Sequence, residues 1–167
     1  MCGITGILGD FKKSSIKNIL YEMSNSLYHR GPDNQESWVD DKIAFGHQRL
    51  SILDLSQSAN QPMFSKSNRF VITFNGEIYN HLDLRKELKF SEWRGTSDTE
   101  TLLVCIEEWG IELCLRKLRG MFAFALWDKK EKVLFLARDR AGEKPLYYGY
   151  VNNLFIFCSE IKALKKI

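Results

Sequence analysis

Cys2 stands directly behind the initiator methionine, and that position joins two reactive groups in one residue. Removal of Met1, expected when the next side chain is this small, leaves Cys2 with both a thiol and a free α-amine. A thiol needs a nearby base to become a good nucleophile, because the unperturbed cysteine pKa is about 8.5. An α-amine titrates at about 7.7–8.0 and is partly neutral at physiological pH. A side-chain nucleophile activated by its own terminal amine is established for threonine, and cysteine can play the same part. Many chains begin Met-Cys by chance, so the case rests on what else the sequence carries.

Four further segments hold groups that could serve such a thiol: His29-Arg30-Gly31-Pro32-Asp33, His47-Gln48-Arg49-Leu50-Ser51-Ile52, Asn75-Gly76-Glu77-Ile78-Tyr79-Asn80 and Ser97-Asp98-Thr99-Glu100. Each has a plain alternative. Gly31-Pro32-Asp33 reads as a turn and Asn75-Gly76 as a hairpin signal. Asp98 suits the first turn of a helix, and Arg49 suits a solvated strand position.

The elements that must position these groups follow from periodicity. Cys2 to Leu8 reads as a short strand with glycines at 3 and 6. A helix capped by Ser14 or Ser15 carries Ile16, Ile19, Leu20, Met23 and Leu27 on one face. Strand character runs over Ile43–Leu53 and Arg69–Asn75, separated by a polar connection, Ser56–Asn68. A short helix spans Leu82–Leu88, and Ser97-x-x-Glu100 forms a capping box ahead of Leu102, Cys105, Ile106 and Trp109. Another helix follows Gly110. Strands are expected at Met121–Trp127, Val133–Ala137, Leu146–Tyr150 and Leu154–Phe157, with a closing helix at Ser159–Lys165. Helices and strands cluster without regular alternation, which predicts an α+β fold of two mostly antiparallel sheets packed together and covered by helices.

Composition sets the outer limits. A hydrophobic fraction of 44% and a charged fraction of 27% over 167 residues fit a single globular domain, residues 1–167. The net charge of +3, with interspersed signs, is too mild to argue for nucleic acid or a membrane surface. No apolar run reaches the roughly 20 residues of a membrane span, and no leader precedes Cys2, so the cytoplasm is expected. Cys105, Cys114 and Cys158 lie in apolar stretches and read as buried hydrophobes, and none of the four cysteines forms a C-x-x-C pair. No metal is expected.

Taken together and in this order, the segments resemble the class II glutamine amidotransferase domain, an N-terminal-nucleophile (Ntn) hydrolase, most specifically the glutaminase domain of asparagine synthetase. The resemblance extends to Gly120–Asp128, to Arg138-Asp139-Arg140-Ala141-Gly142-Glu143-Lys144-Pro145-Leu146-Tyr147-Tyr148 and to Ser159–Leu164. It implies a four-layer αββα sandwich. It also implies that Cys2 attacks the side-chain amide of glutamine, with its α-amine as base, and that Asn75 and Gly76 form the oxyanion hole. Arg49 and Asp98 would hold the α-carboxylate and α-ammonium, with Glu77 as a second acid. Leu50 and Ile52 would lie beside the substrate, and Arg30 would support the site. Gly76 is expected to clear the path from its N–H to the substrate. Arg138, Asp139 and Lys144–Tyr148 read as structural or interdomain.

In that family an ATP- and magnesium-dependent synthetase domain follows and uses the ammonia. Its Ser-Gly-Gly-x-Asp-Ser loop does not occur in these residues, so the expected partner is a synthetase domain or subunit, and homo-oligomerisation stays open. Ala141 and Glu143 depart from the family pattern and leave the acceptor open between aspartate and other carboxylates, such as a sugar acid. A catalytically silent glutamine-binding or regulatory module is the alternative reading. Retention of Met1 would favour it, because the base would be locked in a peptide bond. A peptide-processing relative is disfavoured by Arg49 and Asp98.

Overall fold

Nine strands form where β-branched and aromatic residues cluster, and the computed structural model, which describes residues 1–167, sorts them into two sheets. The first sheet is ordered β2 (Asn34–Val39), β3 (Ile43–Arg49), β1 (Gly3–Leu8), β9 (Leu154–Cys158), β8 (Tyr147–Val151). The second is ordered β4 (Met63–Phe64), β5 (Phe70–Ile78), β6 (Gly120–Asp128), β7 (Val133–Arg138). Every ladder in both sheets is antiparallel.

Three apolar seams hold the layers. Helix α1 (Lys13–Asn25) lays Ile16, Leu20 and Met23 against Ile7, Ala44, Ile156 and Cys158 of the first sheet. Between the sheets, Ile43, Phe45 and Phe157 meet Val71, Ala125 and Trp127. The outer face of the second sheet presents Ile72, Phe74, Phe124 and Leu126. It is covered by α2 (His81–Glu87), α3 (Asp98–Trp109) and α4 (Ile111–Lys117) through Leu84, Leu102, Cys105, Ile106 and Cys114. Each Val, Leu, Ile, Phe or Met among them contributes about 1.5–3 kcal/mol when fully buried. The order is helix, sheet, sheet, helix: the expected αββα sandwich.

Several local expectations change. β2 and β4 fall where only loop was expected; β2 alternates weakly because it is an edge strand with half-exposed residues on both faces. β3 stops at Arg49, and residues 50–60 fold back over its end. α1 begins one residue before Ser14, with no side-chain cap, and Ser15 Oγ instead donates to the Lys12 carbonyl at 3.0 Å. Only half of the capping box forms. Ser97 Oγ accepts from Thr99 N–H at 3.1 Å, whereas the Glu100 carboxylate takes the N–H groups of Arg94 and Gly95 at 2.9 and 3.2 Å. The closing helix is a 3-10 segment, Ile161–Lys166. No helix is long and apolar enough to cross a membrane.

Candidate active site

The alternation of strands aims one set of side chains into the gap between the sheets, and at one end of that gap the set is polar. Gly3 pairs with Gln48 across the β1–β3 ladder, which brings Cys2 beside Arg49. Across the gap stands β5 with Asn75, Gly76 and Glu77, and α3 begins alongside with Asp98. A cavity of about 100 Å³ lies among them, lined by Cys2, Arg49, Leu50, Ile52, Asn75, Gly76, Glu77 and Asp98. Eight of the nine expected site residues therefore meet in one place. The ninth, Arg30, sits behind it.

The thiol of Cys2 is partly buried and held by one residue. Leu50 N–H donates to Sγ at 3.4 Å, and Sγ–H points to the Leu50 carbonyl at 3.6 Å. Burial pushes the thiol pKa up, and this outweighs the lowering by the Leu50 N–H, the terminal amine and Arg49. The thiol therefore stays protonated until a base removes its proton. Arg30 fixes the backbone from behind: its Nε donates to the Cys2 carbonyl at 2.9 Å and its Nη1 to Glu160 at 2.8 Å. Burial pushes Glu160 up, but hydrogen bonds from Arg30, His29 and Lys162 outweigh it and hold the carboxyl at about 2.

Two donors face the cavity without partners in the chain. Asn75 is 1% exposed, and its Nδ2 has no hydrogen-bond acceptor. On the neighbouring residue the donor is the backbone. Phe74 N–H donates to Gln61 Oε1 at 2.6 Å and Ile78 N–H to Asp98 Oδ2 at 2.8 Å, both on the β5 edge away from β6. Alternation puts the Gly76 N–H on that same edge, between them. β4 pairs only with Val71 and Ile72, so it does not reach Gly76. Opposite Gly76, Phe122 turns its own N–H and C=O to Asp139. The glycine has a packing reason beside the one expected. A Cβ at 76 would sit 2.7 Å from Phe122 Cα and 2.8 Å from its Cβ, so glycine admits β6.

Two charged groups line the same cavity. Arg49 is buried and already engaged: Nη1 donates to the Ser56 carbonyl at 3.0 Å and to Asn60 Oδ1 at 2.6 Å, and Nη2 donates to the Asp54 carbonyl. Those bonds use three of the five N–H groups of a guanidinium and leave two for a ligand. Asp98 is 6% exposed and accepts the Ile78 N–H, but no cation pairs with it. Burial, with Glu77 adding to it, raises its carboxyl to about 6. An unpaired buried carboxylate beside a half-used guanidinium suits a zwitterion with an ammonium and a carboxylate. Leu50 contributes its backbone to the thiol, and Ile52, 63% exposed, borders the mouth.

Sequence reasoning missed three residues at this site, Asp54, Gln61 and Lys144. Asp54 joins the two charged groups: its carbonyl accepts from Arg49, and its carboxylate accepts from Thr96 N–H at 2.8 Å, two residues before Asp98. Gln61 satisfies Phe74 on the β5 edge. Lys144 and Met1 line the cavity beside Cys2. Lys144, expected with Arg138, Asp139 and residues 145–148 to be structural or interdomain, is placed there by the turn after β7. The polar run of that turn carried no periodic signal that could have placed it. No group of three or more His, Cys, Asp or Glu side chains is arranged to hold a metal ion.

A family model described as glutamine amidotransferase domain matches residues 1–167. Among curated relatives, asparagine synthetase (glutamine-hydrolysing) 3 of Bacillus subtilis is 45% identical over 170 residues, covering 98% of this chain and 27% of the relative. The putative asparagine synthetase (glutamine-hydrolysing) 2 of Methanocaldococcus jannaschii is 38% identical over 182 residues, covering 98% and 35%. The chain thus spans about a third or less of the length of these relatives. Among solved structures, glutamine phosphoribosylpyrophosphate amidotransferase from B. subtilis, complexed with ADP and GMP, superposes with a TM-score of 0.80 at 25% identity, covering 98% of this chain and 43% of that one. The allosteric regulatory enzyme of purine biosynthesis superposes with a TM-score of 0.78 at 23% identity, over 99% and 43%, which speaks for the fold alone. A match along every residue, together with relatives that align over nearly the whole of it, settles the family: the chain belongs to the glutamine amidotransferase domains, and its sequence relatives are glutamine-hydrolysing asparagine synthetases.

Proposed function

We propose that these 167 residues hydrolyse glutamine to glutamate and ammonia through a thioester on Cys2, once Met1 has been removed. The freed α-amine takes the thiol proton as Sγ attacks the side-chain amide carbon. The carbonyl oxygen becomes an oxyanion, received by Asn75 Nδ2 and the Gly76 N–H. The intermediate collapses, the C–N bond breaks, and the amine's proton leaves with the nitrogen as ammonia. Water then attacks the thioester, gives its proton to the amine, and releases glutamate as Sγ regains a proton. Arg49 holds the substrate carboxylate and Asp98 its ammonium, with Glu77 close by. Leu50 and Ile52 border the substrate, and Arg30 fixes the Cys2 backbone.

The observation that carries this reading is the orphaned Asn75 Nδ2. A buried donor without an acceptor costs about 1–3 kcal/mol, and an oxyanion is the ligand that would use it. We assign the ammonia to ATP-dependent amidation by a synthetase part such as the sequence relatives contain, in asparagine biosynthesis. ATP and magnesium belong to that part and not to these residues. We place the protein in the cytoplasm.

The test is intact-mass analysis after treatment with an electrophilic glutamine analogue. One adduct on a Met1-less chain, lost in Cys2→Ala, supports the assignment. A Met1-less chain that stays unmodified and releases no ammonia from glutamine overturns it in favour of a silent glutamine-binding module.

A further inference from the structure

We propose that Lys144 is a positioning residue that acts by charge through the freed Cys2 amine, holding it in the neutral form that can take the thiol proton. The inference rests on the glutamine-hydrolysing reading above and concerns how its base is kept ready.

Lys144 is only 4% exposed, yet its ammonium pairs with no carboxylate. Its one side-chain hydrogen bond is donated to Met1 Sδ at 2.9 Å, inside the cavity that Cys2 lines. A buried cation held by a thioether alone is an expensive arrangement. Its backbone is fixed by Arg138, the last residue of β7, and by Asp139, which follows it. Arg138 Nε donates to the Lys144 carbonyl at 2.6 Å, and the Asp139 carboxylate accepts the N–H groups of Glu143 and Lys144 at 2.9 and 3.0 Å. The Arg-Asp pair therefore pins this loop while the ammonium stays committed to a residue that processing removes.

Loss of Met1 takes away the only partner of that ammonium and creates a new amine one peptide unit along. The charged groups that act on the terminal amine at Met1 are Arg30 and Asp33 from the turn after α1 and Lys144; Arg49 from β3 and Asp98 from α3 act on the Cys2 thiol, and Glu77 from β5 lines the same cavity. Arg30 also lowers the amine, but it is paired with Glu160 at 2.8 Å, whereas Lys144 has no carboxylate partner. Asp33 is occupied by the Ser51 N–H at 2.7 Å. Arg49 and Asp98 are the groups that a zwitterionic substrate would neutralise. Lys144 keeps its charge uncompensated beside the amine, and like charges in a small cavity favour the neutral form of the weaker base. The terminal amine at Met1 already sits below its ordinary value, through burial first, with Arg30 and Lys144 adding to it against Cys2 and Asp33. Cys2 lies one residue deeper.

The experiment titrates the α-amine directly, by NMR of Met1-less protein carrying ¹³C-labelled Cys2, and sets it beside the pH profile of kcat for ammonia release from glutamine. Lys144→Met should raise the amine titration and the acidic limb of kcat together, by roughly 0.5–1 pH unit. Lys144→Arg should keep the wild-type values, which a merely structural role for a lysine side chain does not predict. An unchanged amine titration in Lys144→Met overturns the proposal. Should that variant fail to fold, Lys144→Gln gives the same reading, and a wild-type amine titrating at or above its ordinary value of about 7.7–8.0 overturns it without any variant. A wild-type protein with a depressed amine pKa but no ammonia release fails the hydrolysis reading instead.

Discussion

The strand faces between the two sheets change character along their length, and they change in the same direction. On β3 the inward sequence is Ile43, Phe45, His47, Arg49; on β5 it is Val71, Thr73, Asn75, Glu77. At the apolar end the side chains pack against one another, with Phe45 edge-on to Phe157 and to Trp38 at centroid distances of 5.6 and 5.9 Å, and only the Trp127 ring N–H is left without an acceptor. At the polar end Asn75 lacks an acceptor and Asp98 lacks a cation. His47 stands between the two, buried and held at about 4 by desolvation, so it is neutral near pH 7 and joins the packing rather than the charge. One sandwich therefore closes at one end and stays chemically unfinished at the other. The unfinished end is where a ligand completes the hydrogen bonds.

Substitutions at the two ends should therefore fail in opposite ways. The largest effect is expected for Cys2→Ala, with ammonia release falling by at least about 10⁴-fold while the melting temperature holds. Normal turnover by this variant would sink the nucleophile assignment. Asn75→Ala should lower kcat by roughly 10²–10³-fold without loss of stability, because the donor it removes has no partner in the free protein. Phe45→Ala is the counterpart at the closed end. It should cost about 3–5 kcal/mol in denaturant unfolding yet leave turnover per folded molecule nearly unchanged. If Asn75→Ala destabilised as Phe45→Ala does, the contrast between the ends would be lost.

Asp98 sharpens the comparison through pH. Its carboxyl is raised to about 6 in the native state from an ordinary 3.8, so the fold favours the protonated form. The stability it contributes is fully present below about 3.8 and is lost as pH rises through about 6. Asp98→Asn should therefore be more stable than wild type at pH 7.5, by an amount of order 1–3 kcal/mol, with the gap closing near pH 4. The same variant should raise KM for glutamine by about 10–100-fold, since it loses the counter-charge for the ammonium. Urea titrations at the two pH values, with steady-state kinetics, decide both.

Much of this was legible in the residues and some was not. Helix α1, β5, β6 and β9 follow from apolar periodicity, and Cys2, Arg49, Asn75 and Asp98 stand out because their motifs bracket chemistry. β2 did not stand out, since an edge strand half-exposed on both faces carries no alternation. Asp54 and Gln61 were invisible for another reason. They act across distances of 42 and 13 residues on backbone N–H groups, and no local pattern marks a side chain that completes a remote strand edge or loop. The packing need for glycine at 76 was also invisible: its neighbour across the ladder, Phe122, excludes a side chain.

The smallest expected effect separates the two titrating groups at the open end. A zwitterion needs Asp98 ionised in the free protein, whereas the amine must be neutral in the complex, so the two act on different kinetic constants. With the Asp98 carboxyl at about 6, KM for glutamine should be flat above pH 7 and rise as pH falls, by about tenfold at pH 5. Loss of amine neutrality should instead appear in kcat. His47, at about 4, contributes to neither over this range. The check is a pair of profiles, KM and kcat, between pH 5 and pH 8. A KM that stays flat to pH 5 would mean that the carboxylate of Asp98 does not meet the substrate's ammonium, and the polar end of β5 would then recognise only the amide.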